Sequence, residues 1–335
     1  MTSRHLFATG LLAAGLSLGT LAQAASISVE AAGPGSQSGT LVQALAQYTE
    51  SEGISLEVIL GQGLTRSAMK VAAGQADSTF VVPPVVKMMR EASGPFEAHG
   101  DRARDLSENL RSLFGLPGGI FHAVTWADAG VERWHDVAGK RVYVGPPGGA
   151  AAQMIIGMIE LETGLVADED YDTVRIPWGA ATQAFQDGQF DVLVLSSPVG
   201  QQSLNELSLQ REIRLLGIAE ELIESDEWRA YTEETATTHG TIPAGTYSGQ
   251  INSDEDVLTS ANIIYMAVNA TMPDEVAYGY TRAYWENLDE MKAGNAMLRA
   301  LNTDDPFIGL NAPLHPGAVK YYRDAGLEIP EHLLE

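Results

Sequence analysis

Two short strings occur twice in this chain at nearly one spacing, and they constrain its architecture more than any other feature. Gly33-Pro34 returns as Gly145-Pro146, and Gly74-Gln75-Ala76-Asp77 returns as Gly188-Gln189-Phe190-Asp191. Each pair is separated by a little over a hundred residues, and the two offsets agree within two. One such match is chance. Two at a common offset point to two lobes of the same design.

The elements around these strings alternate as in an α/β protein. In the first half, strands are expected over Ile27–Ala31, Ile54–Leu60 and Asp77–Val82, with helices after the Gly33–Thr40 and Gly61–Gly63 loops. The second half repeats the order: a strand over Arg141–Val144, a glycine-rich loop and a helix that stops at Gly164. Strands over Thr173–Pro177 and Phe190–Leu195 follow, the last ending at Ser196-Ser197-Pro198. Val257–Asn269 is long and apolar enough to cross from one lobe to the other, and Pro273 opens an amphipathic helix. The expected division is 1–25 as a signal peptide, 26–124 with 256–335 as the first lobe, and 125–255 as the second.

The signal peptide rests on a short positive start (Arg4, His5), an apolar run from Leu6 to Leu21 and a small-x-small cleavage site at Ala22-Gln23-Ala24. Cleavage is expected near Ala24 or Ala25. An uncleaved anchor is the competing reading, but the run is short and glycine-rich for a span of about 20 strongly apolar residues. The chain has no cysteine, which removes disulfides, thiol nucleophiles and thiolate ligands. Its net charge is −24, which excludes nucleic acid and anionic lipid as partners, since both need a basic face. A solvated acidic surface accounts for the charge without reference to a ligand.

In two-lobed α/β proteins a ligand lies beyond the carboxyl ends of the strands, where backbone N–H groups at helix N-termini favour negative charge. The loops at those ends single out Ser36, Gln37, Ser38 and Thr40, then Gln62, Thr65 and Arg66, and then Pro83. In the second half they single out Gly148, Gly149, Arg175, Trp178, Ser196 and Ser197. Arg66 and Arg175 are candidates to fork onto a carboxylate or sulfonate. Each residue also has a plainer role: one hydroxyl caps a helix, an arginine lies on the surface, and Trp178 wedges a lobe interface. The scattered histidines lack metal-binding spacing, and His315 reads as a helix cap. The acidic triplets at 168–170 and 254–256 lack the pattern of a calcium loop and read as solvated turns.

Several segments together resemble the TAXI family of solute receptors, the extracytoplasmic subunits of tripartite ATP-independent periplasmic (TRAP) transporters. The most specific is Ile242-Pro243-Ala244-Gly245-Thr246-Tyr247-Ser248-Gly249-Gln250. Pro313-Leu314-His315-Pro316-Gly317-Ala318 with Tyr321-Tyr322-Arg323-Asp324-Ala325-Gly326 comes next, and Met272-Pro273-Asp274-Glu275-Val276-Ala277-Tyr278 lies between them. Asp136-Val137-Ala138-Gly139-Lys140-Arg141-Val142-Tyr143-Val144-Gly145 is similar to the family's entry into its second lobe. The resemblance implies a type II periplasmic-binding-protein fold: two α/β lobes around a cleft, joined by two crossover strands. It implies a periplasmic monomer without cofactor or catalysis, which captures a small organic anion and hands it to TRAP membrane subunits. The loops expected to set specificity depart from the family. The first lacks its aromatic pair, and the second-lobe loop Pro146–Ala151 has lost its hydroxyls, so a glutamate-type ligand does not carry over.

Two other functions fit parts of the sequence. A binding protein of an ABC importer for a sulfonate or pyrimidine-like ligand would share the fold and differ in its membrane partner. An enzyme on the same fold would need an activated nucleophile or a paired acid and base, and no GxSxG or metal spacing occurs.

Overall fold

The computed structural model describes residues 24–299, 301 and 305–334; the leader expected over 1–25 lies outside them except for Ala24 and Ala25. The first part of the chain forms β1 (Ala25–Glu30), α1 (Gln37–Thr49), β2 (Ile54–Ile59), α2 (Leu64–Ala72), β3 (Ser78–Val81), α3 (Pro83–Glu91) and α4 (Asp101–Ser107). The long strand β4 (Leu110–Trp126) leads out of it. There follow β5 (Arg141–Tyr143), α5 (Ala151–Thr163), β6 (Asp172–Val174), α6 (Trp178–Gln186), β7 (Val192–Ser197) and α7 (Gln202–Gln210). Then come β8 (Ile213–Leu215), α8 (Glu220–Ile223), α9 (Asp226–Thr235) and β9 (Thr237–Ile242). The strand β10 (Val257–Asn269) leads back to α10 (Asp274–Gly294) and α11 (Pro316–Asp324). No helix among the described residues is long and apolar enough to cross a membrane.

Hydrogen bonds link the strands in the order β2-β1-β3-β10-β4-β7-β5-β6, with β8 on β4 and β9 on β10. Two equivalent halves are contained in that order. In the first lobe β2, β1 and β3 run parallel, and β10 lies antiparallel beside β3. In the second, β6, β5 and β7 run parallel, and β4 lies antiparallel beside β7. The two crossover strands β4 and β10 therefore each serve both lobes. β4 pairs with β10 as far as Ile120 and with β7 from there to Thr125.

The repeated strings now have a physical account. Gly74 and Gly188 end α2 and α6 in the left-handed conformation, at φ 68° and 70°. The next amide, Gln75 or Gln189, then bonds back to the carbonyl of Lys70 or Ala184, the helix stop that glycine permits without strain. The aspartate two residues further on clamps the first strand of its lobe. The Asp77 carboxylate accepts from the Ser28 N–H at 2.7 Å, and that of Asp191 accepts from the Arg141 N–H at 2.8 Å.

Burial follows the strand period. Val142, Val144, Val192 and Val194 pack on one face of the second-lobe sheet with Met154, Ile155 and Met158 of α5. Tyr143 and Leu193 point to the other face, against Phe185 and Phe190. The first lobe has its own core, from Ile27 through Leu116 and from Ile264 onward. Ala150 of the second lobe joins that core, so the lobes touch. β6 stops at Val174, short of the strand expected through Pro177, because Pro177 caps α6 and the Ile176 carbonyl accepts from the Tyr143 hydroxyl at 3.0 Å.

Candidate functional site

The loop after β1, the first turn of α2 and the segment after α3 meet the loops after β5 and β7 across a narrow gap. The Ala150 N–H donates to Thr65 Oγ1 at 3.4 Å, and Lys87 of α3 pairs with Glu234 of α9 at 3.5 Å. A side chain at Gly35 would reach Gln201 Nε2 at 3.6 Å, and one at Gly148 would reach Pro95 at 3.8 Å. Surface hollows of 410 and 260 Å³ lie beside α11 and beside the start of β10. The gap is a closed seam, and its chemistry is read from the residues along it.

In the loop after β1 the hydroxyls are engaged locally. Ser36 caps α1, accepting from the Gly39 N–H at 3.0 Å and donating to the Gly33 carbonyl at 2.7 Å. Ser38 accepts from the Ala32 N–H at 3.3 Å, and Thr40 donates to the Pro34 carbonyl at 3.1 Å. The turn is drawn so tight that a Cβ on Gly39 would stand 2.2 Å from the Gly33 oxygen. Gln37, at the first position of α1, is 5 % exposed.

After β2, the Gln62 side chain donates to the Leu60 carbonyl at 3.2 Å, and its backbone N–H to the Ala31 carbonyl at 2.9 Å. Thr65 holds the cross-lobe contact, and Arg66, one residue on in the first turn of α2, is exposed. Pro83 is buried at the start of α3, where its carbonyl accepts from Asn311 Nδ2 at 2.7 Å.

In the second lobe Gly148 and Gly149 form the turn before α5, and Gly149 bonds back to the Pro146 carbonyl at 3.2 Å. Arg175 pairs with Asp168 of its own lobe at 3.7 Å. The Asp168 carboxyl lies below the usual range, first because Thr173 donates to it through both side chain and backbone, and further because Arg175 is near. Trp178 opens α6, packing edge-on to Tyr143 and beside Gly145, and is half-buried. Ser196 accepts from Asn262 Nδ2 at 2.7 Å, and Ser197 is buried beside His122 at 3.4 Å.

Sequence reasoning passed over the residues at the crossing itself. Asn262 interrupts the apolar run of β10, and that interruption was the available signal. His122 lies wholly buried on β4, and burial pulls its pKa down to about 4. Its Nδ1 donates to the Ile120 carbonyl at 2.9 Å, which leaves Nε2 to accept from the Tyr247 hydroxyl at 2.8 Å. Tyr247 is itself buried in the core of the second lobe, with Phe185 and Phe190. The same tautomer gives Ser197 no basic lone pair at Nδ1, so the two are not a nucleophile and its base. Among the described residues no group of three or more His, Asp or Glu is placed to hold a metal ion. His315 caps α11, accepting from the Gly317 N–H at 3.1 Å.

The sequence pattern of the NMT1-like family matches residues 33–326. Among solved structures, a protein of Bordetella bronchiseptica RB50 superposes with a TM-score of 0.50 at 13 % identity, over 92 % of this chain and 85 % of that one. The alkanesulfonate-binding protein SsuA of Xanthomonas axonopodis pv. citri, bound to MOPS, gives 0.49 at 11 % identity, over 91 % and 92 %. A TRAP periplasmic solute-binding protein of Sulfitobacter sp. NAS-14.1, with bound β-D-galacturonate, gives 0.49 at 12 % identity, over 90 % and 87 %. At these identities the likeness extends to the fold alone.

Proposed function

The chain belongs to the NMT1-like family, and on that premise we propose that it is a periplasmic solute receptor of a TRAP transporter of the TAXI kind. It captures a small organic anion between two lobes, which divide at about residues 124 and 256, and delivers it to membrane subunits. A leader cleaved near Ala24 or Ala25 directs its export. The observation that carries this reading is the seam: glycine-rich turns at the carboxyl ends of β1 and β5 lead into α1 and α5 from opposite lobes. Thr65 and Ala150 bond across it. Such helix N-termini favour an anion, and two strands shared between lobes permit closure on it.

Ligand-binding roles go first to Gln37, Thr65 and Trp178, which face or adjoin the seam with polar or aromatic groups not fully engaged elsewhere. Arg66 supplies positive charge from the rim, and Arg175 would have to leave Asp168 to do the same. Native mass spectrometry of the exported protein tests the reading. A retained small molecule, recovered chemically unchanged, is the expected result; a ligand that is turned over would refute it. If Arg66→Ala and Arg175→Ala both leave affinity for that molecule unchanged, charge pairing by these residues is wrong.

An ABC-importer receptor for a sulfonate or pyrimidine-like ligand is the second reading. The departure of the first-lobe loop from the TAXI pattern favours it. A neighbouring gene for a large permease without an ATPase decides for the TRAP partner.

A further inference from the structure

The middle of β10 contains a polar residue at the point where the strands cross between lobes. Opposite Asn262, β4 supplies both Gly118 and Gly119, and the register jumps between Ala261 and Ile263, as it does at a β-bulge. The two glycines make room there. A Cβ on Gly118 would stand 3.0 Å from Asn262 Cβ, and one on Gly119 would stand 2.4 Å from Ser196 Oγ. Asn262 and Ser196 thus meet at the carboxyl end of β7, with Nδ2 donating to Oγ at 2.7 Å.

Asn262 is only 9 % exposed, and its Oδ1 is buried with no hydrogen-bond partner among the described residues. Gln201, in the loop after β7 and facing Gly35, likewise has a buried and unpaired Oε1. A buried amide oxygen without a partner is unfavourable, and an apolar residue at position 262 would avoid that penalty.

We propose that Asn262 and Ser196 form a reading edge for a neutral group of the ligand that presents a donor and an acceptor side by side, as a carboxamide does. The inference rests on the receptor reading and adds a second, uncharged end to the ligand. It does not depend on how the Asn262 amide is oriented. If Nδ2 donates to Ser196, the pair offers Oδ1 as acceptor and the serine hydroxyl as donor. With the amide reversed, it offers the Asn262 N–H groups as donors and Oγ as acceptor. A carboxylate at this edge would lose its hydration without gaining a cation, because Arg66 is exposed and Arg175 is paired with Asp168.

Thermal-shift measurements on the full mature protein test this, with sets of linear carboxylic acids three to six carbons long. Members of a set differ only at the far end, which is a carboxamide, a carboxylate or a methyl group. The expected result is that the amide member raises the melting temperature most in at least one set. Its affinity by calorimetry should fall about tenfold in Asn262→Leu, the loss of one buried hydrogen bond. Should that variant fail to fold, Asn262→Asp and Ser196→Ala are read in its place, each losing the amide preference. A preference for the carboxylate or methyl member, no response to any set, or a preference that survives all three substitutions overturns the inference. Native mass spectrometry of the exported protein separates these outcomes from failure of the receptor reading, since a retained ligand of another chemistry leaves that reading intact.

Discussion

Replacing His122 by glutamine should remove most of the acid sensitivity that this residue confers on the fold. His122 is wholly buried, donates to the Ile120 carbonyl and accepts from Tyr247. Burial lowers its pKa from 6.5 to about 4 in the folded protein. An unfolded chain takes up this proton near pH 6.5, whereas the folded protein resists it down to about pH 4. Below pH 6.5 the unfolded state therefore binds more protons, and stability falls as pH falls until the folded pKa is reached. At about 1.4 kcal/mol per pH unit the loss is about 2 kcal/mol between pH 7 and pH 5 and about 3 kcal/mol below pH 4. Glutamine keeps a neutral polar group at the site and does not titrate. The assay is urea unfolding of wild type and His122→Gln from pH 7 to pH 5. The variant starts less stable, because the Tyr247 hydroxyl loses its partner, but it should lose about 2 kcal/mol less across the range. His315, whose pKa is also lowered chiefly by burial, is present in both proteins and cancels. Parallel stability curves would refute the buried, neutral histidine and the direction of the Tyr247 hydrogen bond with it.

Gly39→Ala should destabilise by about 1–3 kcal/mol by overpacking the turn after β1, whereas Gly33→Ala, with nothing within 4 Å of its Cβ, should cost far less; thermal denaturation compares them. Asp191→Ala should cost about 1–3 kcal/mol in urea unfolding, because it removes the acceptor of the Arg141 backbone N–H and of two of its three guanidinium nitrogens. Asp77→Ala should cost less, since Asp77 is exposed and water replaces its carboxylate. Thr65→Val removes the acceptor of the cross-lobe bond from Ala150 and should disfavour the closed arrangement by about 1 kcal/mol. It should be seen as a larger radius of gyration in small-angle scattering with an unchanged melting temperature.

The three parallel strands of each lobe, the long crossover at 257–269 and the cap at His315 were legible in the residues, whereas the first crossover, β4, was not located. These features are governed by interactions within a few positions of chain: strand alternation, a glycine that ends a helix, a histidine ring that meets an amide two residues on. The repeated Gly-Gln-x-Asp string was visible as a repeat, but its work as helix stop and strand clamp required the partner strand, 49 residues upstream of Asp77 in the case of Ser28. At the site the sequence picked out the loops, and the fold determined what each side chain does in them. Ser36, Ser38 and Thr40 turn inward because the tight turn offers them carbonyls and amides within hydrogen-bond reach. Asn262 was visible only as a polar break in the apolar run of β10, because its importance comes from lying opposite Gly118, Gly119 and Ser196. Those residues are brought together by strand register, and register is set by the packing of two whole lobes.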